Sequence, residues 1–157
     1  DIHPALDLDP DLLVHMVHTE TEHLDRVAEQ DVPVAVCPRA NQVLDVGRAP
    51  LRDLLDHTTV ALGTDNVMLN SPSMFREMEF AAKLSDVSAR YVLKMATHHG
   101  AEIAGLNCGV IEEDRDARLF VLDGDSDNLT GYHNPVRTVV RRADVSDVDE
   151  VVLETAD

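Results

Sequence analysis

Lysine is almost missing from this chain: Lys83 and Lys94 are its only two, and all bases number 13 against 30 acids in 157 residues. The formal net charge of −17 repels phosphate backbones and anionic lipid headgroups, and the one basic doublet, Arg141-Arg142, is too short to make a patch. Nucleic acid and membrane surfaces are therefore not expected as partners. Acid excess spread along the whole length resembles proteins adapted to high salt, where screening offsets self-repulsion. Cysteine is as scarce as lysine. Cys37 and Cys108 lie far apart without metal-type spacing, which argues against a disulfide scaffold and for reduced thiols in a cytoplasmic protein. No run reaches the roughly 18 consecutive apolar residues of a membrane span, and no secretory signal pattern is visible.

What is present is a 44% apolar, 27% charged chain, the composition of a soluble globular domain able to bury a core. Strand-like and helix-like patterns alternate along it. Residues 12–17, 34–36 and 59–62 read as apolar strands. After the first, Thr19 and Glu22 have capping-box spacing, with Leu24, Val27 and Ala28 as the buried stripe of the helix they open. A polar stretch, 39–47, follows the second strand, and Pro50 then starts a helix carrying Leu51, Leu54 and Leu55. After the third, Ser71 and Pro72 read as N-cap and first helical position, and Met74, Met78 and Ala81 form the apolar stripe. Glu77 and Glu79 are expected on that helix's charged outer face, and Met68 in packing. Ser88 caps a further helix, with Val92, Leu93 and Ala96 inward, ended at Gly100 with His98-His99 as a C-terminal cap. Three successive strand-helix units predict an α/β fold with a parallel sheet. From about residue 109 the pattern changes to short strand-like runs at 118–122, 138–142 and 148–153 between Asp-rich turns. The expected organisation is therefore residues 1–108 as one unit and 109–157 as an all-β segment.

The strands end in polar residues, which a sheet buried on both faces does not explain. Period-two alternation puts Ala61, Gly63 and Asp65 on one face of the third strand, and Leu13, His15 and Val17 on one face of the first. Small residues followed by an acid suit the C-terminal mouth of a parallel α/β enzyme. Spacing alone leaves open whether Asp65 is a site acid or a turn residue, and whether His15 is a site group or a hydrogen-bonded core histidine. Arg39 and Asn41 follow the second strand at the same mouth, where substrate contact and a solvated loop are both open readings.

Six stretches carry a resemblance: VHMVH (14–18), CPRANQVLDVG (37–47), LGTDN (62–66), MFREMEF (74–80), VLKMATHHGAEIAGL (92–106) and GVIEEDRDARLFVLDG (109–124). In this order they resemble the amidohydrolase superfamily, in the branch with cytosine, guanine and S-adenosylhomocysteine deaminases and chlorohydrolases. The resemblance implies the last three βα units of a distorted (β/α)8 TIM barrel, followed by the C-terminal part of a small β-sandwich. It implies a metal-dependent hydrolase, an aminohydrolase of purine- or pyrimidine-like rings, using a metal-bound water. Asp65 then corresponds to a metal ligand that also takes the water's proton, and His15 to a catalytic group near the metal that orients and polarises the substrate. Beside them, and apart from the resemblance, Asn41 and Asn66 are candidate substrate contacts by their place after the second and third strands. The cofactor implied is a divalent metal, zinc or iron. Neighbouring strands lie about 4.8 Å apart, so the first and third stand roughly 10 Å apart, leaving room for a small heterocycle between His15 and Asp65.

The departures are equally specific. The HxH pair and the further histidine with which relatives complete the metal site have no counterpart here, and one acid cannot hold a catalytic zinc that needs three protein ligands. A whole barrel takes about 250 residues. The chain is therefore expected to be the C-terminal part of a larger enzyme, inactive alone, and to associate with the missing N-terminal part or with another copy. The alternative is a catalytically inert association module. At position 36, Val stands where many relatives have a histidine before Cys-Pro.

Overall fold

The computed structural model describes residues 2–156. The elements run α1 (His3–Leu6), β1 (Leu13–Val14), α2 (Thr21–Glu29), β2 (Val34–Val36), α3 (Pro38–Val43), α4 (Leu51–His57), β3 (Val60–Leu62), α5 (Met74–Leu84), α6 (Ala89–Ala96), α7 (His98–Ile103), β4 (Ala117–Leu122), α8 (Pro135–Arg142), a 3₁₀ turn (Val145–Asp147) and β5 (Val148–Glu154). β1, β2 and β3 form a parallel sheet in that order. β2 sits in the middle, and Val34, Val36 and the paired Val60 have no exposed surface. This explains the unbroken apolar runs. Leu54 of α4, Met78 and Ala81 of α5, and Val92 and Met95 of α6 close the same core. Each such Val or Leu contributes about 1.5–3 kcal/mol by leaving water.

Several local expectations are corrected. The first strand pairs only through Val14, because His15 and Met16 turn into the left-handed region at φ 71° and 50°. The periodic argument that placed His15 beside Val17 therefore stops short. Helix α2 opens at Thr21 rather than at a Thr19 cap: the Glu20 N–H donates to His23 Nδ1 at 3.0 Å, and the Thr19 hydroxyl donates to the Met16 carbonyl at 2.6 Å. Ala28 is exposed, and His23 takes its place among the buried residues beside Leu24 and Val27. Residues 39–47 are not simply a polar loop, since Pro38 starts α3. Ser73, not Ser71, caps α5, with its Oγ accepting from the Arg76 N–H at 3.4 Å. The helix after Ser88 breaks at Thr97, where φ and ψ are −127° and −89°, and restarts as α7 with Gly100 inside it. His98-His99 therefore begins a helix. Its end lies near Gly105, whose φ of 64° suits glycine. Met68 is exposed rather than packed.

The last third is not all-β. β4 and β5 pair antiparallel with an irregularity at Val121/Leu122, but residues 138–142 lie in α8. Asn134 accepts from the Arg137 N–H at 2.9 Å and Pro135 occupies the first turn, so a cap and a helix-starting proline override the β-branched run. Val140 is fully buried, and α8 packs on α5 and α6. Arg141 Nη2 donates to the Ala82 carbonyl at 2.9 Å, tying the segment to the parallel part.

Candidate active site

The C-terminal ends of all three parallel strands contribute to one cluster. His15 follows β1, its backbone N–H still bound to the Ala35 carbonyl at 2.8 Å. The left-handed turn that ends pairing there aims its ring across the sheet end. Asn41 comes from α3, directly after β2, and is buried with 2% exposure. Asp65 follows β3 through Gly63 and Thr64, again with positive φ, 55°. His15 Nδ1 is 3.0 Å from Asn41 Oδ1, and His15 Nε2 is 3.8 Å from Asp65 Oδ2. The imidazole and the carboxylate retain 40% and 28% of their exposure, so the pair meets solvent while Asn41 lies behind it.

The sequence therefore names three groups that the fold brings together, but two details differ from expectation. No ring fits between His15 and Asp65, because both side chains reach over the central strand until their tips are 3.8 Å apart; a ligand would lie over the pair. Asn66 is exposed, and its Oδ1 accepts from the Met68 N–H at 2.8 Å, which engages it in its own turn.

The floor of the cluster is tight. A Cβ on Gly63 would stand 3.2 Å from Cys37 Sγ, so only glycine lets β3 pass the thiol freely. Burial, and then the nearby acids Asp65 and Glu77, push the Cys37 thiol up to about 11, which makes it a packing group rather than a nucleophile.

Glu77 is the group that the outer-face expectation missed. It is fully buried: Oε2 accepts from the Arg39 backbone N–H at 3.1 Å, and Oε1 lies 3.5 Å from Arg39 Nη1. The guanidinium also donates to the Ser71 carbonyl at 3.0 Å and to Asn70 Oδ1 at 3.2 Å. Burial raises the carboxyl pKa of Glu77, with Arg39 opposing the shift. A sequence signal existed, for position 77 falls between 74, 78 and 81 on the apolar stripe. Its effect is to pin the first turn of α3, the helix that carries Asn41.

One other group of ligand-type side chains occurs among the described residues: His3, Glu22 and His23, with ligand atoms within 4.8 Å of one another. Arg26 Nη1 is 3.0 Å from His3 Nδ1, and the Glu20 N–H donates to His23 Nδ1. Both Nδ1 atoms thus face donors, which puts the ring protons on Nε2, and a cation already occupies the neighbourhood. This cluster braces α1 against α2 and does not suit a metal.

The sequence profile of the amidohydrolase family matches residues 7–153. The chain belongs to the amidohydrolase family. Among its relatives, this amidohydrolase chain is 37% identical over 149 residues to an uncharacterised protein of Methanocaldococcus jannaschii, covering 94% of itself and 39% of that protein. It is 39% identical over 154 residues to a 5-methylthioadenosine/S-adenosylhomocysteine deaminase of Haloquadratum walsbyi, covering 92% of itself and 35% of the relative. Among solved structures, an adenosine deaminase of Xanthomonas campestris with bound zinc superposes with a TM-score of 0.89 at 27% identity, over 96% of this chain and 37% of that one. The chain thus spans between a third and two-fifths of the length of these relatives. It shares their mixed α/β fold over that part.

Proposed function

We propose that this amidohydrolase chain contributes to a metal-dependent aminohydrolase that releases ammonia from a purine- or pyrimidine-like ring, with adenosine-type compounds such as 5-methylthioadenosine and S-adenosylhomocysteine as the first candidates. The observation that carries this reading is the approach of His15 and Asp65 to 3.8 Å at the shared C-terminal end of a parallel sheet. The activities named for similar proteins supply the substrate class. In this reading β1–β3 and their helices are the last βα units of a (β/α)8 barrel, and residues 109–157 contribute to a small β-sandwich.

The donor set tests the metal. Asp65 offers a partly exposed carboxylate, of the right type for one ligand position, and His15 Nε2 is a second ligand-type atom 3.8 Å away, but the described residues bring no third to complete the usual zinc set. The cluster fits such an ion only in part, and the remaining ligands are assigned to residues beyond this chain. A divalent ion, when bound, lowers the pKa of its water to about 7. With such an ion in place, Asp65 would be the group that holds a proton and passes it toward the leaving amine, and His15 would orient the substrate over the acid. Asn66 is exposed beside Asp65, and with its Oδ1 held by the Met68 N–H only its amide NH2 would be left for a substrate contact.

The test is ammonia release by the protein carrying this chain together with those ligands. Asp65→Asn is the variant of choice because Asn tolerates the left-handed backbone there. Turnover is expected to fall by about 10³-fold or more, with the fold retained. A chelator should remove activity and a divalent metal restore it. An Asp65→Asn enzyme that keeps its rate would end the proposal. A second reading, an association module without chemistry of its own, is favoured by the exposed Phe120, Val151 and Leu153 on the two-stranded sheet. Monomeric behaviour in sedimentation would count against it.

A further inference from the structure

His15 faces an acceptor on each side of its ring, and a neutral imidazole has only one proton to offer them. The two sides are not equivalent. Nδ1 lies 3.0 Å from Asn41 Oδ1, within hydrogen-bond distance, whereas Nε2 lies 3.8 Å from Asp65 Oδ2, beyond it. An amide oxygen accepts and cannot donate, so the closer contact requires the proton to be on Nδ1. The amide is also the less movable partner. Asn41 is 2% exposed, its backbone N–H is bound to the Cys37 carbonyl at 3.0 Å, and its carbonyl accepts from the Val46 N–H at 3.2 Å. Glu77 holds the same helix at the Arg39 N–H. Asp65, by contrast, stands on an exposed loop.

We propose that Asn41 is a positioning residue that fixes His15 as the Nδ1–H tautomer and leaves the Nε2 lone pair facing the space over Asp65. Nε2 is then a hydrogen-bond and proton acceptor, and Asn41 acts through the imidazole without touching substrate. This assignment rests on the reading of His15 and Asp65 as the site for its functional meaning, while the pairing itself requires neither metal nor turnover.

Imidazole nitrogen–proton correlation spectra of the 157-residue chain read the tautomer directly. At about pH 8.5, above the ordinary imidazole range, native His15 is expected in the Nδ1–H form. Asn41→Leu, similar in volume but without an acceptor, should lose that preference, with the Nε2–H signal rising in its place. Asn41→Asp keeps an acceptor at the same point, so it should retain the Nδ1 proton and move it downfield through a charge-assisted bond. A native His15 found as Nε2–H overturns the proposal, as does an Asn41→Leu spectrum identical to the native one. Should Asn41→Leu fail to fold, Asn41→Asp decides: a downfield Nδ1 proton supports the pairing, and an unshifted one overturns it. A chain that shows the Nδ1–H tautomer supports the pairing even if no ammonia is ever released, so the two readings fail separately.

Discussion

Single residues set this site through what lies behind them. Glu77 has no exposed surface, and its carboxylate is matched by the Arg39 backbone N–H and guanidinium. Removing one member of a buried pair strands the other, so Glu77→Ala should destabilise the chain by about 3–5 kcal/mol in denaturant titration. Glu77→Gln keeps an acceptor for the N–H and should lose distinctly less; equal losses would show that the backbone bond contributes little. The residues that touch this cluster were unequally legible. His15 and Asp65 stood out because each ends an apolar run with a group the run cannot justify. Asn41 was visible only as one of two polar residues after a strand, since nothing in its spacing says that it faces the imidazole 26 positions earlier. Glu77 was hidden by its charge, although its stripe position pointed inward.

At the scale of elements, α5 joins the two parts of the chain. Its buried face carries Met78 and Ala81, and on its more exposed side Glu79 pairs with Arg76 at 2.8 Å and with Lys83 one turn later. The hydrogen bond from Lys83 is the largest cause holding the Glu79 carboxyl below its ordinary value, with Arg76 adding to it against a burial penalty. A depressed folded pKa contributes stability above the unfolded value and loses it as pH falls through the folded one. Glu79→Gln should therefore lower stability at neutral pH, by under about 1 kcal/mol for side-chain pairs of this kind. The gap between variant and native chain should close in acid, as thermal melts from neutral to strongly acidic buffer can follow. β2, β3, β4 and β5 were readable as elements because their apolar content agrees with their backbone. α8 was not, because Thr138, Val139 and Val140 favour a strand locally, while the Asn134-Pro135 start and the surface of α5 and α6 favour a helix.

For the whole molecule, charge outweighs any single contact. A net charge of −17 on 157 residues opposes compaction. The Debye length falls from about 10 Å at 0.1 M to about 3 Å at 1 M salt. The melting temperature is therefore expected to climb with potassium chloride over that range, and a flat or falling curve would show that self-repulsion is unimportant here. No helix among the described residues is long and apolar enough to cross a membrane. The apolar side chains exposed on β4 and β5 remain available for contact.

The backbone at His15, Met16 and Asp65 has positive φ, and none of the three is glycine. Conformations of this kind hold the cluster together at roughly 1–3 kcal/mol each. Met16 is buried in the core and would lose its packing as glycine, but at the exposed corner, Asp65, selection for durability alone would install glycine. An Asp65→Gly chain should thus survive heating better than Asp65→Ala and at least as well as its parent; under the proposed function, heat tolerance and the carboxylate's role pull this loop in opposite directions.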